Sequence, residues 1–300
     1  MKQLLEWTVI GAGPAGIAAV GKLLDAQIPK DKIGWLDPAF RVGDLGEKWH
    51  NVPSNTKVSL FLKFLNDCRS FAYKECKEPF TINKLSPDDC CYLKEIAIPL
   101  QWVTDHLISS ISAIREEAVS LNLEKGYWEV KTRSSLIRAN NVILCVGAES
   151  KHLSYAHPSV IPLEIALNPS KLAQEINPQD IVGVFGSSHS AVLALANLLQ
   201  LKPKMVHNFY RSPHSYAVEL KDWILFDNTG LKGFAASWAR QHLDGTPPEN
   251  LKRCLASDKT FEEVLALCNK VVYAVGFEKR KTPVLEQFPN ANYQETELVG

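Results

Sequence analysis

Neither sign of charge is in excess in this chain, in which 33 lysines and arginines balance 33 aspartates and glutamates over 300 residues. No overall field draws it to nucleic acid or to an acidic membrane, so a nucleic-acid partner is not expected. No apolar run approaches the roughly 18 residues that a membrane-spanning helix requires. Glu6 also interrupts the amino terminus where a signal peptide needs a longer apolar core. The expected location is the cytoplasm, with no membrane span. Seven cysteines, at positions 68, 76, 90, 91, 145, 254 and 268, include no CxxC and no paired zinc spacing. The adjacent Cys90 and Cys91 could close only a strained ring, so they are read as reduced and structural. No catalytic triad and no metal cluster stands out, and no metal is expected. What remains is a globular composition, 46% hydrophobic and 22% charged, with enough chain for two domains.

The most informative stretch is Trp7-Thr8-Val9-Ile10-Gly11-Ala12-Gly13-Pro14-Ala15-Gly16, a short apolar run feeding a glycine turn and then a helical pattern to Leu24. Gly11 allows the strand-to-helix bend, Gly13 lets the backbone approach a pyrophosphate, and Gly16 permits close helix packing. Pro14 and Ala15 open the helix, whose N-terminal N–H groups and dipole favour negative charge. The next strand pattern, Lys32 to Leu36, ends on Asp37, which follows Gly16 by 21 residues. An acid at about that distance is placed to hold ribose hydroxyls.

The device returns later in the chain. Asp180 to Phe185 enters Gly186-Ser187-Ser188-His189-Ser190-Ala191 and a helical run to Leu199. Only the first glycine is kept, with Ser188 and Ala191 at the second and third places. The Ser188 hydroxyl can donate to a phosphate where the missing glycine no longer lets the backbone approach. The following strand pattern, Met205 to Tyr210, ends on Arg211, where an arginine can pair with a 2′-phosphate and select NADPH. His189 and His207 are read as solvated or locally bonded. Two further strand patterns, Asn140 to Gly147 and Lys270 to Gly276, each end on a glycine, where a flavin or a chain crossover can pass close to bare backbone. One precedes the second turn and one follows it, so the second unit is expected to be inserted into the first.

These motifs resemble the two-dinucleotide-domain flavoproteins. A further segment, Gly43-Asp44-Leu45-Gly46-Glu47-Lys48-Trp49 followed by Val52 to Val58, is similar to the flavin-containing monooxygenases and their Baeyer-Villiger and N-hydroxylating relatives. The resemblance implies that Trp49 lies along the flavin and that Asn55 is the catalytic donor near its ring. It implies FAD on the first turn and NADPH on the second, with hydride passing to the flavin and oxygen then activated there. The substrate would be an amine, a thioether or a ketone. The family's F-x-G-x-x-x-H fingerprint has no counterpart between Glu149 and Asp180, which bears on oxygen transfer. The chain also ends at Gly300, where these relatives continue through a further glycine-rich segment closing over the flavin.

The reading is therefore an α/β protein, a Rossmann-like FAD domain (residues 1–150 and 270–300) with an inserted Rossmann-like NADP-binding domain (151–269). It is expected to be an FAD- and NADPH-dependent monooxygenase acting on a small molecule. Two alternatives stay open: a flavoprotein reductase serving another acceptor, and a nucleotide-binding protein without catalysis. Between the motifs, Phe64 to Leu100 lacks periodicity and is assigned to the substrate side or to a small satellite core. Trp102 to Leu121 and Leu231 to Leu243 read as helices, and Tyr127 to Lys131 as a meander strand.

Overall fold

The computed structural model describes residues 4–156 and 159–286. The founding βαβ unit follows from its sequence. Strand β1 (Leu4–Ile10) ends on three buried residues, Thr8, Val9 and Ile10, as a central strand covered on both faces does. Helix α1 (Pro14–Asp25) has Gly13 as N-cap and proline in its first turn, where the fixed φ of proline fits. It buries Gly16, Ile17, Val20 and Gly21, a single face at helical spacing. Strand β2 (Ile33–Leu36) is buried throughout and runs parallel to β1, with Leu36 facing Ile10.

Around this unit lies a seven-stranded sheet in the order Val284–Leu285, Ala118–Glu124, Tyr127–Thr132, Leu136–Leu144, β1, β2, Ser112–Ile114. Its middle section is an antiparallel meander, and Leu136–Leu144 then pairs parallel with β1. A second sheet, all parallel, has the order Leu251–Leu255, Met205–Tyr210, Ile181–Phe185, Lys270–Tyr273. Every strand of it falls in the chain between Leu136–Leu144 and Val284–Leu285, so the second sheet is an insertion in the first. The two connections run side by side as an antiparallel ribbon, Ala148–Ser150 against Phe277–Lys279.

Three elements differ from the sequence reading. Lys270–Tyr273, assigned above to the first domain, belongs to the second sheet, where Val271 and Val272 are fully buried beside Gly183 and Val184. The helix read at Trp102 to Leu121 is instead Lys94–Ile108, followed by the strands Ser112–Ile114 and Ala118–Glu124. Pro99 lies inside that helix and is buried with Ile96, Leu100, Val103 and Leu107. A proline normally ends a helical pattern, which is why the pattern reads as starting after it. Beyond it, Leu121 is 2% exposed while Val119 and Leu123 are about half exposed, a two-residue period that marks a strand. The aperiodic segment before the helix forms short 3₁₀ turns. These place Phe71, Tyr73 and Ile82 in one core with Ile17 and Val20 of α1. Residues 287–300, the last part of the segment assigned to the first domain, lie outside the described residues. Among the described residues, no helix is long and apolar enough to cross a membrane.

The second sheet is fastened at its base by Asp180, which is 5% exposed. Its carboxylate accepts from Asn177 N at 2.7 Å, Asn269 Nδ2 at 2.7 Å and Lys270 Nζ at 2.9 Å. Burial opposes the charge, but these three donors overcome it and hold the carboxyl below the usual carboxylate range. A depressed folded pKa stabilises the fold above the unfolded value, and that contribution is lost as pH falls through the folded value. Asp180→Asn is expected to cost about 1–3 kcal/mol at pH 7 in urea unfolding. The gap from the parent protein should narrow below pH ~4, as the parent carboxylate itself becomes protonated.

Candidate active site

The turn after β1 is fixed by close backbone approaches. Gly11 has φ +105°, and a Cβ there would sit 2.2 Å from the Cys145 carbonyl oxygen. Its N–H donates to Leu36 O at 2.7 Å, and its own carbonyl accepts from the indole of Trp35 at 3.0 Å. A Cβ on Gly16 would lie 1.9 Å from that same Gly11 oxygen. Gly13 differs, because a Cβ there would meet nothing within 4 Å. The space above it is open, and no side chain caps α1 behind it.

Asp37 closes the turn from the end of β2. One carboxylate oxygen accepts from Ala12 N at 2.8 Å, and the other from Ala39 N at 2.8 Å and Phe40 N at 2.6 Å. Three of roughly four acceptor directions are thereby used, which leaves one for a ligand hydroxyl.

From this turn extends a groove of about 960 Å³, at the upper end of the range for small-molecule and cofactor sites. Gly11, Gly13, Pro14, Asp37, Trp49 and Gly147 all line it. Trp49 meets Phe277 edge to face at 6.0 Å. Arg280 reaches from beyond the ribbon to pair with Asp44 at 2.5 Å, and its N–H bonds Gly147 O at 3.4 Å. At the far end Glu116 accepts from the hydroxyls of Thr132 and Ser135 and from Ser134 N. The Thr132 hydroxyl contributes most to bringing that carboxyl down to about 2, so it stays charged. Cys145 faces the groove with its thiol pushed up by burial, a neutral lining group.

The second turn repeats the first in its backbone. Gly186 has φ +122°, its N–H donates to Phe209 O at 2.8 Å, and a Cβ would lie 2.3 Å from Ala274 O. Cys145 and Ala274 thus serve the two turns alike. Gly147 and Gly276, at φ +78° and +103°, each stand two residues further on, where the ribbon begins. Ser187 and Ser188 follow Gly186, and Ser188 is the N-cap of the helix His189–Gln200 with its hydroxyl free of any capping bond. Arg211 is exposed just past the strand Met205–Tyr210.

Asn55 stands apart from the groove lining, which differs from the role implied for it above. It lies in the strand Pro53–Lys57, and its amide is engaged at both ends by the second unit. Nδ2 donates to Gly230 O and Oδ1 accepts from Lys232 N, both at 2.9 Å. The same strand receives His189, whose Nε2 lies 2.8 Å from Pro53 O. Burial lowers the His189 pKa against the opposing effect of that carbonyl, so the ring is neutral. Lys57 pairs with Glu219 of the second unit.

No protein-family model matches the chain. It is 35% identical to the monooxygenase AgnR1 of Paecilomyces divaricatus, over 92% of this chain and 80% of that protein. The chain belongs to the same monooxygenase family as that relative. The fold of the monooxygenase is shared with two solved structures at low identity. DfoA, an FAD-bound cadaverine monooxygenase from Erwinia amylovora, has a TM-score of 0.69 at 14% identity, covering 98% of this chain and 83% of that one. The bacillithiol disulfide reductase Bdr of Staphylococcus aureus has a TM-score of 0.58 at 13% identity, covering 92% and 78%. Oxygenase and reductase share this architecture, so the fold alone does not select the reaction. AgnR1, at 35% identity, is a monooxygenase.

Trp35 and Arg280 carry no role in the sequence reading, and Asp44 none beyond its place in the Gly43 to Trp49 segment. Trp35 carried a usable signal, a fully buried tryptophan two residues before Asp37 whose N–H needs an acceptor. Arg280 carried none, because its partner is 236 residues away. The two glycines of the turn separate stability from binding. Gly11→Ala is expected to cost at least ~2 kcal/mol of unfolding free energy, through positive φ and the carbonyl clash. Gly13→Ala should stay within about 0.5 kcal/mol, yet weaken dinucleotide uptake, read by flavin fluorescence titration, because its methyl enters the ligand space.

Proposed function

We propose that the monooxygenase takes up FAD in the groove and NADPH at the second turn, and places one oxygen atom on a small soft nucleophile or a ketone. The observation that carries this reading is the open space at Gly13, beneath an uncapped helix N-terminus and within a groove of cofactor size. The residues fit a dinucleotide with a pyrophosphate. Asp37 offers a free acceptor direction to a ribose hydroxyl, and Gly11, Gly13, Pro14, Ala15 and Gly16 present backbone and dipole to the phosphates. Trp49, Phe277 and Gly147 would line the flavin end, with Gly276 next to Phe277 in the chain. Structures with this fold agree in kind, since DfoA is bound to FAD and a further structure holds both FAD and NADP.

When bound, FAD supplies the hydride acceptance and the oxygen activation. The chain supplies position and dryness. The rings of Trp49 and Phe277 offer an apolar surface along the groove, and Arg280, tied to Asp44, lines it beside them. Gly186, Ser187 and Ser188 would receive the dinucleotide phosphates of NADPH, and the 2′-phosphate would then fall toward the end of the strand Met205–Tyr210, which Arg211 follows. The domain division we propose runs through the ribbon, at Gly147 and Gly276. Dithiol reduction has little support, since Cys145 is the cysteine that lines the groove and its thiol is held neutral.

Asn55 acts here as a positioning residue. The strand Pro53–Lys57 follows the Trp49 segment directly, and its bonds to Gly230, Lys232 and His189 set how the second turn faces the groove. Asn55→Ala is expected to slow anaerobic flavin reduction by NADPH roughly 10-fold or more, as small misplacements of reactants do, with FAD affinity unchanged. Loss of FAD affinity instead would return Asn55 to the flavin side. The function itself is tested with ¹⁸O₂, NADPH and a panel of amines, sulfides and ketones. Labelled product is expected, whereas NADPH consumed only into hydrogen peroxide across the panel removes the monooxygenase assignment of substrate class. Protein that stays colourless with added FAD removes the cofactor assignment.

A further inference from the structure

In the first unit the strand register places Asp37 opposite Gly11, one step beyond the pair Ile10 and Leu36. In the second unit the last pair is Phe185 and Phe209, so the residue opposite Gly186 is Tyr210. Arg211 is one position further and exposed, and a surface arginine after a strand needs no ligand to explain it.

Tyr210 is covered by another arginine. The guanidinium of Arg253, from the neighbouring strand Leu251–Leu255, lies 4.4 Å from the centre of the Tyr210 ring. It is tied to the nucleotide turn through one intermediary. Arg253 Nε donates to Asn208 Oδ1 at 3.2 Å, and Asn208 Nδ2 donates to Gly186 O at 2.8 Å and Val184 O at 3.2 Å. A hydrogen-bonded chain therefore runs from the glycine turn to the guanidinium.

Two polar atoms at this place are buried without a hydrogen-bond partner among the described residues, Arg253 Nη2 and His214 Nδ1. The other His214 nitrogen lies 3.1 Å from Asp244 Oδ1, and the Tyr216 hydroxyl donates to the second oxygen of Asp244. Asp244 is thus engaged by His214 and Tyr216, and Arg253 retains a donor with no acceptor. Arg240, 4.4 Å over the Tyr216 ring, adds a second positive charge nearby. A buried donor on a charged group is costly to leave unpaired, so its natural complement is an anion. Half-buried, the guanidinium is also less screened than the exposed Arg211, which strengthens a charge-assisted bond.

We infer that Arg253, oriented by Asn208 and stacked on Tyr210, is the specificity-determining residue that binds the adenosine 2′-phosphate of the nicotinamide dinucleotide, with His214 beside it. The inference rests on the reading of the second turn as an NADPH site. Its test is calorimetric titration of the full chain, with FAD added, using 2′,5′-ADP and 5′-AMP as probes that differ by the 2′-phosphate. Arg253→Met is expected to weaken 2′,5′-ADP roughly 10- to 100-fold while leaving 5′-AMP unchanged. Arg253→Lys, which keeps the charge and guards against a folding defect, should fall between parent and Met variant. Selectivity retained in Arg253→Met, or lost equally for both probes, overturns the inference, as does selectivity lost only in Arg211→Met. A parent protein that binds neither probe nor NADP⁺ overturns the nucleotide reading of the second turn itself.

Discussion

Three backbone segments meet at Gly11 more closely than any side chain permits. The end of β1, the end of β2 and the Cys145 stretch share a few ångströms there, with Gly16 pressed on from α1. The indole of Trp35 completes the arrangement by satisfying the Gly11 carbonyl from within the core. Crowding at Gly11 and Gly16 is what leaves Gly13 free, because a turn pinned on both sides holds its middle out from the protein. The second turn uses the same solution around Gly186, Phe209 and Ala274. Two glycine turns of the same shape thus arise from one steric constraint applied twice.

How the two units join depends on a different kind of contact. Residues just after the short helix Gly43–Glu47 and Trp49 leave the first unit's packing and join the second. Val52 is a member of the second hydrophobic core, and Trp49 packs against it. The polar bonds of Pro53, Asn55 and Lys57 extend this seam along one short strand. The segment that walls the groove and the segment that holds the second unit are therefore continuous in the chain. Any shift of one unit relative to the other is felt at Trp49.

Much of this was legible in the sequence where a demand falls on a residue type. A position with φ near +105° and no room for Cβ accepts only glycine, so Gly11 and Gly186 announce themselves. Asp37 is readable because the spacing from a glycine turn to the end of the next strand is nearly fixed by the βαβ unit. The helix Lys94–Ile108 was misread because Pro99 sits inside it, and tertiary burial of that proline outweighs its local cost. Register was invisible as well. The pattern Tyr210-Arg211 gives no sign of which residue stands opposite Gly186, and only strand pairing decides it. Contacts at great sequence separation, such as Asn55 with Gly230 or Arg280 with Asp44, leave no local trace at all.

The ribbon between Ala148–Ser150 and Phe277–Lys279 has a consequence for chain entropy. Inserting well over a hundred residues into a sheet sounds disruptive, but closing a loop costs free energy only as the logarithm of its length. Here the two ends of the loop are themselves hydrogen-bonded side by side. The first sheet then experiences the whole second unit as though it were a hairpin turn. Strand Val284–Leu285 then pairs with Ala118–Glu124 at the edge of that same sheet. The larger body beyond the ribbon can be built, repacked or exchanged without the host sheet having to register its size.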